Sequence, residues 1–250
     1  MNAFTIHGMG RLAQTRSARA RRRGVLQVVA CLAATCGGAM HAAAQPILPD
    51  FASSAFDDSL TIDNPYFPLT PGLTLTYDSV KTAPDTGEVE TEVIVVEILP
   101  QTRTVAGVQS RVVRDRVWRE GLLIEDTFDW YAQDNAGAVW YLGEYVTDYL
   151  YDDDDNVIGT VHDGSWEAGV DGAKPGYLML AQPQLGDFYY QEYYVGEAED
   201  QGQVIGLGET HTIPLGTFAD VLRTRDVSGL APNDLEHKFY APGIGKILGH

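Results

Sequence analysis

The stretch from residue 111 to residue 151 constrains the fold most, because polar and apolar side chains alternate through three consecutive runs separated by turn residues. The runs are 111–118, 122–134 and 138–151, with Glu120-Gly121 and Asn135-Ala136-Gly137 between them. Phe128, Trp130 and Ala132 point one way, toward the expected core, and Asp129, Tyr131 and Gln133 point the other. A helix would scatter these residues, so the segment reads as a meander of three antiparallel strands.

Counting outward from a two-residue turn at Glu120-Gly121 pairs Arg119 with Leu122, Val117 with Ile124 and Val113 with Phe128. The same register sets Asp115 opposite Asp126 on that apolar face, and Arg116 opposite Glu125 on the other. A three-residue turn with Gly137 left-handed pairs Asp134 with Ala138, Trp130 with Leu142 and Phe128 with Glu144. Glu144 then lies diagonal to Asp126. Like charges facing each other among apolar neighbours cost stability, so three such carboxylates call for a cation or raised pKa values. Asp115, Asp126 and Glu144 are therefore a candidate metal site. Hard oxygen ligands without histidine or cysteine match Ca2+ better than zinc or copper. A turn one residue longer would send the acids to solvent, and that reading competes with the site.

Residues 1–44 hold six arginines, including Arg21-Arg22-Arg23, and no acid; the apolar run 25–34 and Ala42-Ala43-Ala44 follow. That order of basic, apolar and small residues is a signal peptide cut after Ala44, which places the mature chain in the periplasm or outside the cell. Arg22-Arg23 leaves both Sec and twin-arginine export open. Both cysteines, Cys31 and Cys36, leave with it, so the mature chain has no disulfide, thiolate nucleophile or cysteine-bound zinc. Eleven basic side chains then stand against 35 acidic ones, a net charge of −24. Nucleic acid and anionic lipid surfaces are poor partners for such a chain; a small ligand, a cation or a basic polypeptide fits it. No later apolar run reaches the ~20 residues of a transmembrane helix.

After the leader, residues 45–71 carry Pro46, Pro49, Pro65, Pro68 and Pro71 and read as an extended lead-in anchored by Tyr66-Phe67. Residues 72–250 read as one β domain. Strands are expected at 73–80 and 89–98 around a turn at Asp85-Thr86-Gly87, with a further turn or bulge at Val105-Ala106-Gly107 leading into the meander. Beyond it, strands are expected at 157–162, 188–195, 204–207, 218–227, 235–240 and 244–248. Residues 163–184, rich in glycine and proline, read as one long ordered loop or lid. The fold class is all-β: a single curved antiparallel sheet, half-barrel or open barrel.

Pro214-Leu-Gly-Thr-Phe218 with Val221 and Leu222, then Phe239-Tyr240-Ala-Pro-Gly243-Ile-Gly245, resembles the closing strands of secreted bacterial half-barrels of the TapB-like and LolA/LolB-like fold type. The resemblance covers about 35 residues, and it implies a curved antiparallel sheet with a concave apolar face.

Several catalytic classes lack their signatures: there is no Gly-x-Ser-x-Gly elbow, no His-Glu-x-x-His and no phosphate loop. Asp152, Asp154 and Asn156 match the first three ligand positions of an EF-hand loop, although Val157 replaces its glycine; a solvated hairpin tip is the competing reading. Glu197, Glu199 and Asp200 follow the aromatic run 188–194, where aromatics and a carboxylate pair could serve a glycosidase or simply edge a core strand. The chain thus reads as a non-enzymatic binding protein holding a cation or apolar ligand on a curved sheet. A carbohydrate-active hydrolase and an interaction module without a small ligand are the alternatives.

Overall fold

The structure, a computed structural model, describes residues 3–7, 45–82, 87, 89–232 and 235–250. Most of the expected signal peptide and of the turn at Asp85-Thr86-Gly87 lies outside the described residues. The backbone of β1 (Ala3–His7) runs parallel to β2 (Thr74–Thr82). From β2 onward the first sheet is antiparallel through β3 (Val89–Val105), β4 (Val108–Arg119), β5 (Leu122–Gln133) and β6 (Val139–Tyr151). It curls through 209° without closing, which makes it an open half-barrel.

The turns come from the residues that tolerate them. Ala106-Gly107 and Glu120-Gly121 both adopt positive φ at two successive positions, the twist that joins adjacent antiparallel strands through two residues. At the next turn Asp134 organises the chain: its Oδ1 accepts from the backbone N–H of Ala136 and Ala138, and its Oδ2 accepts from Trp140 Nε1 at 2.9 Å. Trp140 is fully buried, with the rings of Phe51, Phe56 and Tyr177 around it.

Residues 163–184 are not one loop. They carry β8 (Trp166–Glu167) and β9 (Lys174–Met179), both paired to β6, after the short β7 (Val157–Val161) has paired to the far end of the same strand. Their glycines bend the chain back onto the sheet. β10 (Phe188–Tyr190) and β11 (Glu192–Tyr193) split the expected strand 188–195 between two sheets, because β11 joins β9 while β10 joins β12 (Asp200–Ile213). β13 (Gly216–Ser228), β14 (Leu235–Ala241) and β15 (Gly245–Gly249) complete a second sheet of five strands in the order β10-β12-β13-β14-β15.

Two apolar clusters hold the sheets together. One gathers Leu75, Tyr77 and Ile94 of the half-barrel with Val221, Phe239 and Ile247 of the second sheet. The other joins Ile98, Val113, Tyr131 and Tyr141 to Ile62 and Leu69 of the lead-in. The lead-in, with a single turn of 3-10 helix at Phe51–Ser53, is tied down by Asn64, whose amide donates to the carbonyls of Gly137 and Leu180. Phe67 sets its ring edge-on to Tyr131, and Pro65 accepts from Gly243 of the final hairpin.

Candidate functional site

The inner face of the half-barrel follows from strand register. Along one row Leu75, Val96, Asp115 and Thr127 stand side by side; along the next are Tyr77, Ile94, Val117 and Glu125. The row toward the lead-in holds Ile98, Val113, Asp129 and Glu144, and beyond it lies the Tyr131–Tyr141 pair, stacked at 4.9 Å. Between this face and the second sheet is a cavity of about 230 Å³ lined by these side chains and, from the opposite wall, by Glu236, Lys238, Tyr240 and Lys246. Glu92 and Arg119 lie at its other end, ion-paired at 2.7 Å.

The expected acid cluster is therefore corrected. The turn at Glu120-Gly121 pairs Arg119 with Leu122 as expected, but Ile124 bulges, so that Trp118 faces Leu123 and Val117 faces Glu125. Asp115 meets Thr127, and Val113 meets Asp129 in place of Phe128. Asp126 turns to the outer face, where the Arg114 guanidinium grips it with Nε at 2.8 Å and Nη2 at 2.6 Å. A second bulge, at Leu142, shifts the next pair: Tyr131 faces Tyr141 but Trp130 faces Gly143, Asp129 faces Glu144 and Phe128 faces Tyr145. Asp115 and Glu144 do line the cavity, in the company of Asp129 rather than Asp126. The three predicted calcium ligands do not converge, and among the described residues no group of three or more His, Cys, Asp or Glu side chains is arranged to hold a metal ion.

The secondary acidic sites separate as well. Asp152 Oδ1 accepts from the backbone N–H of Asp154 and Asn156, a self-contained turn at the exposed β6–β7 tip. Glu197 is exposed, and Glu199 accepts from the backbone of Gly196 within its own turn. Asp200 alone of that group lines the cavity.

Electrostatics distinguish the inner carboxylates from surface acids. Burial, opposed by Lys246 and reinforced by Glu125, pushes the Asp115 carboxyl up to about 7. Burial and then Glu144 hold Asp129 well above the usual carboxylate range, even though Tyr141 Oη donates to its Oδ1 at 2.6 Å. Asp115 Oδ1 is buried with no hydrogen-bond partner in the protein. On the opposite wall Lys238 stays charged: burial opposes its proton, but Asp226, at 2.9 Å, and Glu236 more than compensate. The floor of the cavity thus holds carboxyls that keep a proton to higher pH than surface acids do, and that donate as well as accept while protonated, under walls of Val, Ile and Leu.

Sequence reasoning missed Glu125, Asp129, Lys238 and Lys246. Gly143 inside an otherwise bulky strand was the one local sign of a bulge that could have found Asp129. No family model matches the chain, and no curated protein or solved structure matches it either.

Proposed function

We propose that this is an exported, non-enzymatic binding protein that holds a small, mainly apolar ligand between its two sheets. The ligand's carbonyl or hydroxyl head would rest on Asp115 and Asp129. The observation that carries this reading is the cavity itself: apolar walls over a row of inward-facing carboxyls, of which Asp115 and Asp129 have raised pKa values and so keep a proton, and with it a donor for a neutral head group, to higher pH than surface acids do. An inorganic cation fits less well, because Asp126 faces away and is neutralised by Arg114. The resemblance of the final hairpin to secreted half-barrels with concave apolar faces agrees with a binding role. Export rests on the Arg-rich, apolar and Ala-rich order of residues 1–44.

Native mass spectrometry of the protein purified from the compartment into which it is exported tests the reading. A bound mass that is extracted by organic solvent, and that is absent when Val113→Trp fills the cavity, is the expected result. Absence of any bound mass, together with no melting shift on adding long-chain alcohols, would leave an interaction module. A carboxyl poised near neutrality is also what a general acid requires, so turnover of chromogenic glycosides that is lost in Asp115→Asn would replace binding by hydrolysis.

A further inference from the structure

We propose that Lys246 captures an aldehyde ligand in the cavity as a reversible imine. This rests on the binding reading above and names a ligand class for the same cavity. Lys246 sits on β15 opposite Tyr240 and lines the cavity, with its Nζ 4.9 Å from the centroid of the Tyr77 ring. The Tyr77 hydroxyl donates to the Lys246 carbonyl at 2.9 Å, which fixes the strand position from which the side chain extends. Among the described residues Lys246 has no ion pair, whereas its neighbour Lys238 is bound to Asp226 at 2.9 Å and Glu236 at 3.6 Å.

The surroundings keep the amine reactive. Burial first, and then the positive charge of Lys238, lower the Lys246 pKa, while Glu236, Asp115 and Asp226 pull against them. The neutral amine is the nucleophile, so this setting favours attack on a carbonyl carbon. From the facing sheet, Asp115 supplies the acid that dehydration needs. The Nζ lone pair adds to the aldehyde carbon, and one of the two Nζ protons passes to the former carbonyl oxygen, giving a neutral carbinolamine. Its hydroxyl takes a proton from Asp115 and leaves as water. The protonated imine that remains lies near the Asp115 carboxylate, and readdition of water reverses each step, so no oxidant or other co-reactant enters.

The chain has four lysines, Lys81, Lys174, Lys238 and Lys246, so selectivity is easy to read. The full protein is treated at neutral pH with octanal, trapped with borohydride, and mapped by peptide mass spectrometry. One alkyl group on Lys246 is expected, formed several-fold faster than on the exposed Lys174, because a lowered pKa raises the neutral fraction of the amine. Excess octanol, which cannot form an imine, should slow labelling of Lys246 and leave Lys174 unchanged; this comparison needs no variant. Lys246→Arg should abolish the fast label while keeping the melting shift caused by octanol. A melting shift with octanol but no preference for Lys246 would overturn the imine and leave the binding reading standing. If octanol neither shifts melting nor slows labelling, both readings fall.

Discussion

Asp129 stands directly opposite Glu144 on neighbouring strands, 7% and 6% exposed, with both carboxyls toward the cavity. Such a pair is destabilising unless a proton or a ligand relieves it. The register that creates it is imposed from outside the pair, by the Asp134 turn at one end and the bulge at Leu142 between. The cavity floor is thus paid for by the rest of the sheet.

The inner carboxyls should make the protein less stable as pH rises. Asp115 has a folded pKa raised to about 7 from 3.8, so the native state keeps a proton that the unfolded chain releases. Its contribution is fully present below pH ~4 and is lost as pH climbs through about 7. Asp115→Asn should therefore stabilise most at alkaline pH and little in acid. A shift of this size corresponds to about 4 kcal/mol at most, and the half-buried carboxyl lowers that to on the order of 1–3 kcal/mol. Asp129→Asn should flatten the same slope. Urea denaturation across pH measures both; a gain that is uniform with pH would contradict the assignment.

Asp126→Asn should behave in the opposite sense. The sequence register made this substitution a relief of repulsion, but the structure gives Asp126 a two-pronged Arg114 contact on the outer face. Because Arg114 is part-exposed, the loss should be about 1 kcal/mol, independent of added calcium. Stabilisation by this variant, or a calcium shift in melting that it removes, would restore the original cluster.

Much of the fold was legible because turns and alternation are local. Glu120-Gly121, Ala106-Gly107 and Asn135-Ala136-Gly137 each close the turns expected of them. The site was only partly legible, because each bulge moves every later residue to the other face. Leu122-Leu123-Ile124 and Trp140-Tyr141-Leu142 are unbroken apolar runs, so nothing in them marks where the phase slips. Asp115 and Glu144 kept their places only because both bulges fall between them along the meander. The opposite wall could not be read at all: Lys238 and Lys246 reach the cavity through packing of a sheet more than 90 residues away in sequence from Glu144.

Trp130→Ala and Tyr131→Ala should cost similar amounts, each on the order of 3–5 kcal/mol. Alternation sends them to opposite faces, as expected, yet both are buried, at 5% and 8% exposed. The inner face belongs to Tyr131; Trp130 lies on the outer side beneath the Arg103 guanidinium, 4.0 Å from its ring, which Glu167 holds in place at 2.6 Å. Equilibrium denaturation of the two variants checks this. A clearly smaller loss at Tyr131 would mean that the inner face is not packed.

Gly143 is where fold and site meet. It has φ of 142°, and a Cβ there would lie 2.5 Å from the Trp166 carbonyl oxygen and 2.9 Å from Trp130 Cε3. Neither neighbour can give way easily, because β8 is hydrogen-bonded to β6 at this point and Trp130 is buried. Gly121, by contrast, has φ of 85° in an open turn with nothing within 4 Å. Gly121→Ala should therefore cost about 1 kcal/mol of backbone strain alone. Gly143→Ala should add a clash in a packed interior and cost about 3 kcal/mol or more. If the variant folds, relief of the clash must move the residue that follows, Glu144, away from Asp129. The pH dependence of stability and the melting shift with octanol should then weaken together. A Gly143→Ala protein as stable as Gly121→Ala, with both responses intact, would show that the bulge does not set the cavity floor.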